Sequence, residues 1–109
     1  MTALQTDVES LAARFAAGDA PLILDVREPW EFELCRLEGA VNIPLGQLPA
    51  RFSAADYPAD RDLVVVCHHG MRSMQATMWL RRQGIETATN LTGGIDAWAA
   101  RIDPAMSRY

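Results

Sequence analysis

Four consecutive apolar residues, Leu63-Val64-Val65-Val66, end at Cys67. An unbroken, mostly β-branched run suits a strand covered on both faces, the situation of a parallel sheet between layers of helix; a half-exposed strand would alternate polar and apolar residues. The residues beyond, 73–84, combine strong helix formers with Ser73 as a cap, Arg81 and Arg82 in the last turn and a terminating Gly84. Cys67 therefore lies at the carboxyl end of a buried strand, just ahead of a helix N-terminus. In open α/β sheets ligands bind in that crevice, and the free N–H groups of the helix stabilise an anion placed there.

The rest of the chain repeats the alternation of strand and helix. Thr6-Asp7-Val8-Glu9 predicts a capping box, with Thr6 and Glu9 in the reciprocal positions, for a helix running to Gly18 with Leu4, Val8, Leu11 and Phe15 on its core face. Residues 22–24 form a short buried strand, and residues 27–32 open a second helix with Pro29 in its first turn. Residues 40–43 read as a strand stopped by Pro44, 45–52 as a helix and 53–62 as a connecting loop. A last strand (87–91) and a last helix (94–101) follow. The fold class expected is α/β, a parallel central sheet flanked by helices on both faces. With 109 residues, half of them hydrophobic, the chain is expected to make a single domain over 1–109 with a modest core. It contains no internal repeat, low-complexity tract or interdomain linker.

A cysteine that closes an apolar strand is most often an inert small hydrophobe. Its company argues otherwise here: His68, His69, Gly70 and Arg72 within a few residues, and a helix start, are poor core material. Helix N-termini and neighbouring cations favour the thiolate, the nucleophilic form of cysteine. Gly70 permits the left-handed backbone of a tight loop, which turns N–H groups inward. Arg72 either clamps an anionic substrate or braces the loop. Neighbouring His68 and His69 are not expected to point the same way, so that one contacts substrate while the other is solvated.

Asp25 and Arg27, at the end of the first buried strand, are expected to form a structural ion pair on the same sheet edge as Cys67. Trp30, Trp79 and Trp98 read as core or groove wall. The adjacent Cys67, His68 and His69 lack the spaced pairs of a structural zinc site, so no metal is expected. A net charge of −4 gives no footprint for nucleic acid or an anionic membrane surface. The residues 1–7 lack a basic and apolar leader, and no apolar run is long enough to span a bilayer. With just two cysteines, both read as free, the expected compartment is the cytoplasm.

The loop C-x-x-G-x-R, present as Cys67-His68-His69-Gly70-Met71-Arg72, resembles the active-site loop of single-domain rhodaneses, sulfurtransferases that carry sulfur as a cysteine persulfide. Leu24-Asp25-Val26-Arg27-Glu28-Pro29-Trp30-Glu31-Phe32 is similar to that family's upstream D-V-R-E signature, and Gly39-Ala40-Val41-Asn42-Ile43-Pro44 follows it in order. Leu91-Thr92-Gly93-Gly94-Ile95-Asp96-Ala97-Trp98 resembles its closing L-x-G-G-x-x-A-W. The resemblance implies a catalytic Cys67, a sulfur-holding loop of His68, His69, Gly70, Met71, Arg72 and Ser73, and no cofactor. It also implies a small sulfur-containing anion, thiosulfate or a persulfide, as donor, and a thiol or cyanide as acceptor, with a sulfur-relay protein as a further partner. Cys35-Arg36-Leu37-Glu38-Gly39-Ala40 departs from the family pattern, in which Gly-His is expected before the turn. Cys35 is then either a resolving thiol that attacks the persulfide or a packed thiol in a variable turn, and the packed thiol is preferred.

Two other functional classes follow from the same residues. A persulfide carrier or regulatory module would pass sulfur to a partner without turning over a small donor. Cysteine phosphatases, one branch of which shares the rhodanese fold, also cradle an anion in a Cys-to-Arg loop, and arsenate reduction uses related thiolate chemistry. Those phosphatases need a longer loop to ring a tetrahedral phosphate than the four residues His68 to Met71 supply.

Overall fold

A computed structural model describes residues 3–109; Met1 and Thr2, part of the stretch read as lacking a leader, lie outside the described residues. In chain order the elements are β1 (Gln5–Thr6), α1 (Val8–Ala16), β2 (Leu22–Asp25), α2 (Pro29–Leu34), β3 (Val41–Asn42), α3 (Leu48–Arg51), β4 (Leu63–Val66), α4 (Met71–Arg82), β5 (Ala88–Leu91) and α5 (Gly94–Arg101). The five strands form one parallel sheet in the order β1-β5-β4-β2-β3. β4 is central, with Val65 opposite Leu24 on one side and Asn90 on the other.

Side chains alternate across the sheet and build two cores. Leu24, Leu63, Val65 and Cys67 pack with Leu48 of α3 and with Ala76 and Leu80 of α4. Ile23, Val64 and Val66 pack on the other face with Val8 and Leu11 of α1 and with Ile95 and Trp98 of α5. All four residues of β4 are buried, as covering on both faces requires. Among the described residues no helix is long and apolar enough to cross a membrane.

Several local expectations need correction. Thr6 does not cap α1: its carbonyl accepts the Thr92 N–H at 2.8 Å as part of the pairing of β1 with β5, so the helix starts one residue later. Asp7 takes the cap, its Oδ1 accepting the Ser10 N–H at 2.8 Å. Leu4 precedes the helix and is exposed rather than on its core face. The segment 45–52 is a 3₁₀ turn (Leu45–Gln47) followed by the four-residue α3, because Pro49 has no N–H to extend the ladder. Another 3₁₀ turn, Ala54–Asp56, lies within the predicted loop 53–62. Ser73 is not the cap of α4. Gly70, at φ 109°, turns the chain into the helix at Met71, which leaves Ser73 buried in the first turn.

Candidate active site

The loop between β4 and α4 curls back on the Cys67 sulfur. The Gly70 N–H donates to Cys67 Sγ at 3.0 Å, and the Ser73 hydroxyl lies 3.3 Å from the same sulfur while also donating to Asn90 Oδ1. A hydroxyl has one proton and two lone pairs. With its proton on Asn90 it can accept from the thiol, and with its proton turned to sulfur it can solvate a thiolate. Behind it, Asn90 Nδ2 donates to Gln5 Oε1 and Thr77 Oγ1 to the Ser73 carbonyl, so the buried polar groups are chained together. The first turn of α4 adds N–H groups without intrahelical acceptors at Met71, Arg72 and Ser73.

The loop is fastened from outside by α5. The Ile95 N–H donates to the Cys67 carbonyl at 2.9 Å and the Asp96 N–H to the His68 carbonyl at 3.0 Å. Such close approach needs Gly94, at φ 57°, because a Cβ there would run into both carbonyl oxygens. The Gly-Gly of the closing motif is thus a backbone contact with the cysteine loop.

Two ion pairs flank the loop. Arg27 is fully buried and holds Asp25 through Nε and Nη2, at 2.8 to 3.1 Å, and donates to the carbonyls of Glu31 and Cys35. Burial opposes its charge, but the Asp25 bonds prevail and its pKa is raised. This pair is the one expected from the sequence. Strand alternation places Asp25 on the sheet face opposite Cys67, while Arg27, beyond the end of β2, reaches the edge of the loop by donating to the Tyr109 hydroxyl. Asn42 Nδ2 ties the turn by donating to the carbonyls of Asp25 and Arg27.

Arg72 braces rather than clamps: Nη1 and Nη2 reach Glu31 Oε1 and Oε2 at 2.7 and 2.9 Å. The Arg72 bonds, outweighing burial, hold the Glu31 carboxyl down at about 2. The same bonds raise the pKa of Arg72, with the nearby Cys67 and Tyr109 adding to the effect.

His68 and His69 do not diverge as expected. Their rings lie 4.0 Å apart at 31°, because the curled loop, unlike an extended strand, sets successive side chains on one side. Burial, then His69, lowers the pKa of His68, which favours its neutral form. His69 is well exposed, 3.9 Å from Asp96, and Met71 projects into solvent. Tyr109 closes this side. Its ring stacks on His68 at 3.9 Å and 10°, while its hydroxyl accepts from Arg27 Nη1 at 2.9 Å and donates to Glu31 Oε2 at 2.7 Å. Burial, opposed in part by Arg27, pushes the Tyr109 phenol up to about 12.

Of the other candidates, Cys35 packs with Leu37 and Val66, on the face away from Cys67. Trp98 is core, Trp79 half-buried against Phe52, and Trp30 is an exposed wall set edge-on to Tyr109. Among the described residues no three of His, Cys, Asp and Glu converge as a metal-binding group. The sequence reading missed Glu31, Asn90 and Tyr109 as site residues. Glu31 carried a signal, as the partner of Glu28 in a capping box. Asn90 carried a weaker one, an amide inside a buried strand, and Tyr109 none.

Residues 7–101 match the rhodanese-like domain family. The chain belongs to that family. The sulfurtransferase of Allochromatium vinosum is 40% identical to this rhodanese-like chain over 103 residues, 94% of each protein. The crystal or solution structures it resembles include the human single-domain sulfurtransferase TSTD1, 26% identical with a TM-score of 0.79 over 91% of this chain and 97% of that one. A candidate sulfur carrier of Bacillus subtilis, YrkF, is 28% identical over 91% of this chain, which spans about half (52%) of that protein. The rhodanese-like loop, the D-V-R-E segment and the Gly-Gly turn thus meet at one sheet edge within a sulfurtransferase fold.

Proposed function

We propose that this rhodanese-like chain is a sulfurtransferase that carries sulfane sulfur on Cys67 and works by a ping-pong cycle. The Cys67 thiolate attacks the outer sulfur of thiosulfate; the S–S bond to the sulfonate breaks, sulfite leaves with the bonding pair, and a Cys67 persulfide remains. A thiophile such as cyanide or a thiol then attacks the terminal sulfur and restores the thiolate. The observation that carries this reading is the donor set at the sulfur, the Gly70 N–H at 3.0 Å and the Ser73 hydroxyl at 3.3 Å, at the start of the twelve-residue α4. Fixed donors at a buried anion stabilise it without reorganisation, as an oxyanion hole does. No step needs a cofactor.

The orientation of Arg72 favours sulfur over phosphate. An Arg-clamped oxyanion ring needs a free guanidinium fork, and here the fork is spent on Glu31. The similarity to YrkF supports a second reading, in which the Cys67 persulfide is loaded by a protein donor. Intact mass after incubation with thiosulfate tests the proposal: the parent gains a single sulfur removable by a reducing thiol, and Cys67→Ser gains none. Loading by a desulfurase-bound persulfide but not by thiosulfate supports the carrier. Sulfur transfer retained by Cys67→Ser overturns both.

A further inference from the structure

Cys67 is 1% exposed, so what reaches its sulfur is decided by the side chains around the loop. Next to Cys67, the ring of His68 is covered by that of Tyr109. The rings of Tyr109, His68 and His69 form a continuous stack, with centroids 3.9 and 4.0 Å apart, and Trp30 meets Tyr109 edge-on at 5.6 Å. The Tyr109 hydroxyl is held by Arg27 and Glu31, one from each ion pair that flanks the loop. The preceding residue, Arg108, pairs with Asp96 at the start of α5 at 3.0 Å. Yet Tyr109 keeps 37% of its surface exposed, held by two hydrogen bonds and by ring contacts with His68 and Trp30. A partly exposed aromatic ring latched through its hydroxyl at a wet edge is a cover that can open, since such segments unfold locally at low cost.

We propose that Tyr109 is a specificity-determining residue of the Cys67 site: a latched aromatic wall that admits small sulfur anions and small thiols and screens the sulfur from bulkier partners until the latch opens. The proposal deepens the sulfurtransferase reading and rests on Cys67 as the reactive sulfur. Its chemistry is steric and polar. The ring occupies the approach along His68, the Arg27 and Glu31 bonds set how often it leaves, and a bulky partner waits for the open fraction.

The test compares Cys67 alkylation, resolved by peptide mass, with a small reagent, iodoacetamide, and a bulky one, fluorescein maleimide. The full chain, Tyr109→Ala and Tyr109→Phe are measured side by side. Tyr109→Ala should raise the bulky-to-small rate ratio about tenfold, and Tyr109→Phe, which keeps the ring and loses the latch, should raise it by a smaller factor. A merely structural role would loosen the loop for both reagents alike, so an unchanged ratio in both variants overturns the wall. Should Tyr109→Ala not fold, Tyr109→Phe alone decides by the same criterion. Alkylation needs no sulfur donor, so it reads the wall even if thiosulfate fails to load Cys67; loading with an unchanged ratio overturns the wall and leaves the sulfurtransferase reading standing.

Discussion

Glu31 has 5% of its side chain exposed and serves Arg72, Tyr109 and the Glu28 N–H together, which makes it the residue on which the outer half of the site depends. Its carboxyl is held at about 2 against an ordinary 4.5, chiefly by Arg72, so its contribution to stability is present above about 4.5 and is lost as pH falls towards 2. Glu31→Gln should cost about 1–3 kcal/mol at pH 7, less than the roughly 3–5 kcal/mol of a fully buried pair because Arg72 is a third exposed. Urea melts of parent and variant should converge as pH drops from 4.5 to 3; a gap that stays constant would remove the charge from the explanation. Gly94 offers a test independent of charge. With φ at 57° and the Cys67 and His68 carbonyls against its α-carbon, Gly94→Ala should cost about 2–4 kcal/mol through strain and overlap. It should also slow persulfide loading, read by intact mass.

At the scale of elements, the start of α1 separates two sequence signals that compete for the same residues. Thr6 carries both capping and strand preferences, and the strand wins because β1 would otherwise leave the edge of β5 unpaired next to the polar chain through Asn90 and Gln5. Asp7→Ala should therefore destabilise the fold by loss of the cap, and by more than Thr6→Val, which should stay within about 0.5 kcal/mol. Equal losses from the two variants in thermal melts would return the cap to Thr6. The same competition shows at α4. Ser73 has the residue type of a cap, but Gly70 starts the helix sooner, and the Ser73 hydroxyl is buried between Asn90 and the Cys67 sulfur instead.

Across the whole molecule, the sheet keeps the two cysteines apart. Cys67 belongs to the core beneath α4 and Cys35 to the core beneath α1 and α5, so a disulfide between them would have to cross the sheet. Treatment with diamide should leave no intramolecular disulfide by non-reducing peptide mapping. A sulfur loaded on Cys67 should persist equally in the parent and in Cys35→Ser; faster loss from the parent would make Cys35 a resolving thiol.

The α/β class, the parallel sheet and the positions of β2, β4, β5 and α5 were legible in the sequence, because burial on both faces demands apolar runs and helices announce their ends with Pro, Gly and charged residues. The placement of Cys67 and Gly70 beyond β4 and of the Asp25–Arg27 pair at the end of β2 was legible for the same reason: polar residues follow where an apolar strand ends. Other features belong to the tertiary structure alone. The turn of Arg72 to Glu31, 41 residues away, the chain from Ser73 through Asn90 to Gln5, and the seat of Tyr109 on His68 join segments far apart in sequence. Periodicity and capping signals act over a few residues, whereas these contacts are chosen by which groups the closed sheet brings within hydrogen-bonding distance, and local pattern carries no record of that choice.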